Sequence, residues 1–153
     1  MDLSLSFQDN QTGHKDLVLR FAGQERICDS YYLVIDDGLP SVGEDERKIR
    51  AVLLRLLEQW LEVVQGLKAG EIGYLPYDLS DQYSGWLRCT ATPDGYTLAQ
   101  GWSTVEGWSF PPSDVGDLLH HLEGFRVDGP VLEVARDDLL SAIRASASLA
   151  RQP

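Results

Sequence analysis

The sequence predicts an α+β fold: a mainly antiparallel sheet packed against one long amphipathic helix, with two shorter helices towards the C-terminus. Three observations carry that expectation. Strand-like runs follow one another directly, near the N-terminus and again in the middle, which favours antiparallel pairing over a doubly wound sheet. A segment from about Glu44 to Leu67 repeats apolar residues at three- and four-residue intervals, the spacing of a helix with one buried face. The 153 residues suit a single domain, which can bury roughly 70% of the surface its unfolded chain exposes.

Taken in order, Leu3 to Phe7 alternate apolar and polar residues, and Leu17, Leu19 and Phe21 resume the alternation after a polar turn at Asp9 to Gly13, so the two runs read as a hairpin. A turn at Gly23-Gln24 leads to a third β-rich run from Arg26 to Ile35, which contains Tyr31, Tyr32 and Val34. Asp36 to Glu46 holds two glycines, a proline and five carboxylates. It reads as a loop whose solvated acids precede a helix N-terminus, where the helix dipole favours them, and it lacks the ligand spacing of a calcium loop. In the helix itself Ile49, Val52, Leu53, Leu56, Leu57, Trp60, Val63, Val64 and Leu67 form one apolar stripe, with Trp60 a core residue. Glu46, Arg50, Arg55, Glu58 and Glu62 flank it, and Gly66 or Gly70 ends it.

The next segment, from Tyr74 to Phe110, holds three of the four tryptophans and four of the six tyrosines. Glu71 to Leu75 reads as a short strand stopped by Pro76, followed by a polar turn in which Asp78 and Asp81 satisfy local backbone donors. Trp86 to Ala91 and Tyr96 to Ser103 form a hairpin around Thr92-Pro93-Asp94-Gly95, and the steps Gly101-Trp102 and Gly107-Trp108 let a backbone approach closely or a strand bulge. Ser113 is placed to cap a helix through Leu118, Leu119 and Leu122, closed by Gly124. A strand from Pro130 to Val134 and a helix from Arg136 to Ala147 complete the chain, with residues 148–153 a frayed tail.

Signatures of catalysis are absent: no GxSxG, no phosphate-binding glycine loop and no HExxH occurs, and the HxE at His121 lacks the accompanying PCxxC. Catalytic residues are therefore not nominated and no cofactor is expected. Cys28 and Cys89 read as small buried hydrophobes. Asp114, Asp117, His120 and His121 have the helical spacing of metal ligands, but acids at the start and histidines at the end of a helix also suit its dipole without any metal.

Charge and aromatic content point instead to an interface. The net charge of −11, from 24 acidic and 13 basic residues, repels nucleic-acid phosphates and speeds encounter with a basic partner. No apolar run approaches the about 18 residues of a membrane span, and the acidic start MDLSLSFQDN lacks the basic region of a secretory signal, so a cytoplasmic location is expected. Tyr77, Asp78, Asp81, Tyr83, Trp102, Glu106 and Trp108 are the candidate binding residues: rigid rings for burial, carboxylates for steering a basic protein. The same acids and rings also suit a small-molecule or hydrolase pocket, and a self-complementary aromatic surface would make the chain a homo-oligomeric accessory protein.

The motifs LPYDLSDQYSGW and GWSTVEGW, between Leu75 and Phe110, together with small size and strong acidity, resemble the uncharacterised bacterial proteins grouped with immunity proteins of contact-dependent and polymorphic toxin systems. The resemblance implies a cytosolic inhibitor that occludes a toxin, often a basic nuclease, through acidic and aromatic contacts. It carries over no individual residue's role.

Overall fold

Leu3–Phe7 (β1), Leu17–Phe21 (β2) and Gln24–Cys28 (β3) pair in sequence order as an antiparallel three-stranded sheet in the computed structural model, which describes residues 2–11, 16–38 and 46–152. The alternation that predicts β1 is visible in burial, since Leu3 and Leu5 are buried and Ser4 and Ser6 are not. The β2–β3 turn is Ala22-Gly23, one residue earlier than expected. Both residues have positive φ, 55° and 76°, as a two-residue hairpin with right-handed strand twist requires.

The third run ends as a strand at Cys28, and Tyr31–Val34 is a short helix, α1, where a continuing strand was expected. The buried Asp16 carboxylate accepts hydrogen bonds from the Ser30 amide (3.2 Å) and hydroxyl (3.0 Å), and the Ser30 carbonyl then accepts from the amides of Leu33 and Val34. A strand would put Tyr31, Leu33 and Ile35 on one face. The helical turn separates them, burying Leu33 and leaving Tyr31 54% and Ile35 49% exposed. Asp36 is also buried rather than solvated, and residues 39–45 of the acidic loop lie outside the described residues.

Glu46–Gly66 forms α2, whose stripe from Ile49 to Val64 is buried. Each such side chain is worth about 1.5–3 kcal/mol relative to leaving it in water. The indole of Trp60 lies within this core and donates to the Pro76 carbonyl at 3.0 Å, so the one polar atom of the ring is satisfied.

Ile72–Leu79 (β4), Ser84–Thr92 (β5), Gly95–Ser103 (β6) and Arg126–Ala135 (β7) form a second antiparallel sheet in the order β4-β5-β6-β7. The antiparallel strands are therefore divided between two sheets. Pro76 does not stop β4: the strand has a sheet partner on one side only, where a missing N–H is tolerated, and the register shifts between Pro76 and Asp78. The β5–β6 hairpin turns at Pro93-Asp94 as expected. The pairing of β6 with β7 shifts between Ala99 and Gly101, beside the first glycine-tryptophan step.

The helix expected from Ser113 to Leu122 is replaced by a single 3-10 turn at Gly116–Leu119. The expected cap is engaged elsewhere, since the Ser113 hydroxyl donates to Asp36 at 2.7 Å, and the Ser113 and Val115 amides, which no helix would satisfy internally, donate to Asp36 at 2.9 Å and Gln59 at 2.8 Å. Gly116 at φ 76° then breaks any α-helical continuation. The final helix, Arg136–Arg151 (α3), runs on past Ala147 into the segment expected to fray, where Ala150 is still buried. It lies against α2 and β1, with Ser146 accepting from the Leu5 amide at 3.1 Å. The fold is thus α+β with three α-helices among the described residues, none long and apolar enough to cross a membrane.

Candidate binding face

The edge strands β3 and β4 bring the two sheets together through Arg26 and Asp78, whose guanidinium and carboxylate lie 3.5 Å apart. Three concavities run side by side from this junction. The first, about 390 Å³, is lined by Arg26, Tyr77, Gln82, Tyr83, Gly85, Gly101, Trp102 and Asp128. The second shares Arg26 and Tyr83 with it and adds Ile27, Asp29, Tyr31, Tyr32, Asp78 and Asp81. The third shares Tyr32 with the second and extends through Ile35 and Asp37 to Trp108. Six of the seven expected binding residues line this continuous face. Glu106 lines none of the three; its backbone carbonyl accepts from the Ser109 amide and hydroxyl.

Exposure divides those residues. Trp108 is 62% exposed, because the loop after β6 docks through Gly107, whose amide donates to the Ser80 carbonyl at 2.7 Å while the next ring turns outward. A Cβ at Gly107 would collide with the backbone of Leu79 and Ser80, so the glycine is what permits the docking. Asp81 is exposed, and Tyr83, Trp102 and Glu106 are partly buried. Tyr77 and Asp78, expected to flank a polar turn, are instead buried inside β4. Tyr77 sits over Gly85, where an added Cβ would lie 2.9 Å from its ring.

Asp78 is a carboxylate at the base of the face. Burial pushes its pKa up from the ordinary 3.8, opposed by Arg26 and by hydrogen bonds from the Tyr83 hydroxyl (3.3 Å) and the Cys28 thiol. Burial likewise raises Cys28 out of the range in which a thiol is reactive, and pushes the Tyr77 phenol up to about 12. Asp81 accepts a short hydrogen bond from the Tyr32 hydroxyl, which pushes the Tyr32 pKa up to about 12 and ties α1 to the β4–β5 turn.

Reading the sequence alone missed Arg26, Ile27, Tyr31, Tyr32 and Ile35, which reach the face from the first sheet and α1. The adjacent pair Tyr31-Tyr32 was the available signal, hidden by the strand expectation. The Asp114, Asp117, His120 and His121 constellation is not assembled: Asp117 lies within a 3-10 turn and the other three flank it, so the α-helical spacing argument does not apply. Among the described residues no three His, Cys, Asp or Glu side chains are grouped to hold a metal ion. Comparison with protein-family models, with curated proteins and with solved structures returns no match to this chain.

Proposed function

We propose that the chain is a protein-binding module of the immunity type, which neutralises a basic toxin domain by covering it with the face between Trp108 and Arg26. One observation carries this reading. Four large apolar side chains stand in water along that face, Ile27 (55% exposed), Tyr31, Ile35 and Trp108, with Asp29, Asp37 and Asp81 beside them. Apolar rings with a carboxylate rim are what a desolvated contact with a basic surface needs, since the rings supply burial and the acids supply attraction at a distance. The net charge of −11 extends the attraction beyond the contact.

The test uses the genes beside the coding sequence. Each neighbour is expressed in a sensitive host with the intact chain and with Trp108→Ala and Tyr31→Ala variants. The reading requires a toxic neighbour, growth rescue by the intact chain, a one-to-one complex of the two purified proteins, and weaker rescue by the variants. Neighbours that are all harmless, or a toxic one that the chain leaves fully active, would overturn it.

A further inference from the structure

The first of the three concavities has a chemistry unlike the rest of the face. Its volume of about 390 Å³ lies within the range of small-ligand sites, roughly 300–1,000 Å³. Tyr77, Tyr83 and Trp102 line it, and because Tyr77 is buried the accessible ring surface comes from the partly exposed Tyr83 and Trp102. The absence of a side chain at Gly85 lets the Tyr77 ring lie close over β5 and brings its hydroxyl to the base of the cleft.

The polar side chains on the lining are Arg26, Gln82, Asp128 and the two phenols. The Tyr77 hydroxyl accepts from the buried Gln100 Nε2 at 3.2 Å, and this bond leaves the phenol proton uncommitted. Arg26 lines the same space with a half-exposed guanidinium, which lies 3.5 Å from the Asp78 carboxylate and also hydrogen-bonds Tyr83. A second guanidinium, that of Arg126, lies over the Trp102 ring at 5.9 Å from its centroid. The Tyr83 hydroxyl donates to Asp78 at 3.3 Å and also bonds Arg26, so what Tyr83 has left to offer is its ring. Asp128 is the one carboxylate on the lining. One half-exposed guanidinium, that of Arg26, therefore meets partly exposed aromatic rings in this cleft, in a chain that is otherwise strongly acidic. The wider negative field does not forbid an anion there, because at physiological salt it is screened within about 8 Å whereas direct contacts are not.

We infer that this cleft binds a small ring-shaped carboxylate, its flat face against Trp102 and Tyr83 and its carboxylate on Arg26 and the Tyr77 hydroxyl. Both an aromatic acid and a sugar acid have that chemistry, because either presents a flat apolar face and an anionic acceptor. The cleft adjoins the face proposed for the partner and shares Arg26 and Tyr83 with it.

The test is an amide and indole NMR titration of the intact chain at constant ionic strength. Benzoate and glucuronate are compared with their uncharged counterparts benzamide and glucose. At least one acid is expected to shift the Trp102 indole N–H and the Gly85 and Gly101 amides, and to bind about tenfold tighter than its counterpart, the contribution of a charge-assisted hydrogen bond. Which acid does so identifies the source of the ligand. Arg26→Gln should abolish the preference for the acid, and Trp102→Leu should weaken the acid and its counterpart alike. Failure of both acids to shift these signals at about 10 mM, or equal binding of acid and counterpart by the unmodified chain, overturns the inference without needing either variant. Rescue from a toxic neighbour reads a different property, so each proposal can fail while the other stands.

Discussion

At the scale of single residues, Trp108 and Trp86 have the same side chain and opposite surroundings. Trp108 stands largely in water, whereas Trp86 is fully buried, its indole N–H donating to Ser84 Oγ at 2.7 Å. Trp86→Ala should cost about 3–5 kcal/mol by urea unfolding, and Trp108→Ala less than about 0.5 kcal/mol. A large loss at Trp108 would mean that the ring supports the fold and is not free for a partner. Asp78 makes a prediction about pH. Burial raises its folded pKa above the unfolded value, so its contribution to stability is complete below the unfolded pKa and is lost as pH rises through the folded one. Asp78→Asn removes that loss. The stability of the variant minus that of the parent should therefore grow as pH rises above the ordinary carboxylate value of 3.8 in unfolding experiments at stepped pH. A difference that is flat with pH, or that shrinks, would contradict this account.

At the scale of elements, two short segments show how backbone geometry limits the choice of residue. The β2–β3 turn holds Ala22 at φ 55°, a conformation that costs a side chain with a Cβ about 1–2 kcal/mol. Asparagine tolerates it and is favoured before glycine in such turns. Ala22→Asn should raise the unfolding free energy by about 0.5–1 kcal/mol, and a measured decrease would show that packing of the alanine methyl outweighs the strain. Gly101 is constrained by its neighbours and not by φ. A Cβ there would run into the Arg126 carbonyl and approach the Phe125 ring at 2.7 Å. Gly101→Ala should cost about 1–3 kcal/mol by forcing β6 away from β7. Gly66, at the end of α2 with open space around it, is the control, where alanine should be neutral or stabilising by about 0.5 kcal/mol.

At the scale of the whole molecule, charge sets how a partner is met, while the exposed rings set how firmly it is held. With a net charge of −11, association with a basic protein should slow by about tenfold or more between low salt and 0.5 M, with dissociation changing much less. Stopped-flow mixing measures both rates, and an association rate indifferent to salt would remove charge steering from the proposed function. The elements legible in the sequence were those set by local pattern. Alternation marked β1 and β2, three- and four-residue spacing marked α2, and the Thr92-Pro93-Asp94-Gly95 turn marked the β5–β6 hairpin. Each depends on residues a few positions apart, whose spacing on a helix or strand is fixed by backbone geometry. What only the tertiary structure decided depends on side chains far apart in the chain. Asp36 and Ser113, 77 residues apart, meet and leave a 3-10 turn where local capping signals predicted a helix. Asp16 turns the tyrosine pair into α1, and Tyr32 reaches Asp81 across 49 residues to join the two sheets' aromatics into one face. Composition alone concentrates rings between Tyr74 and Phe110. Which rings face water was decided by long-range packing, because burial belongs to a ring's neighbours in space and not to its neighbours in the chain.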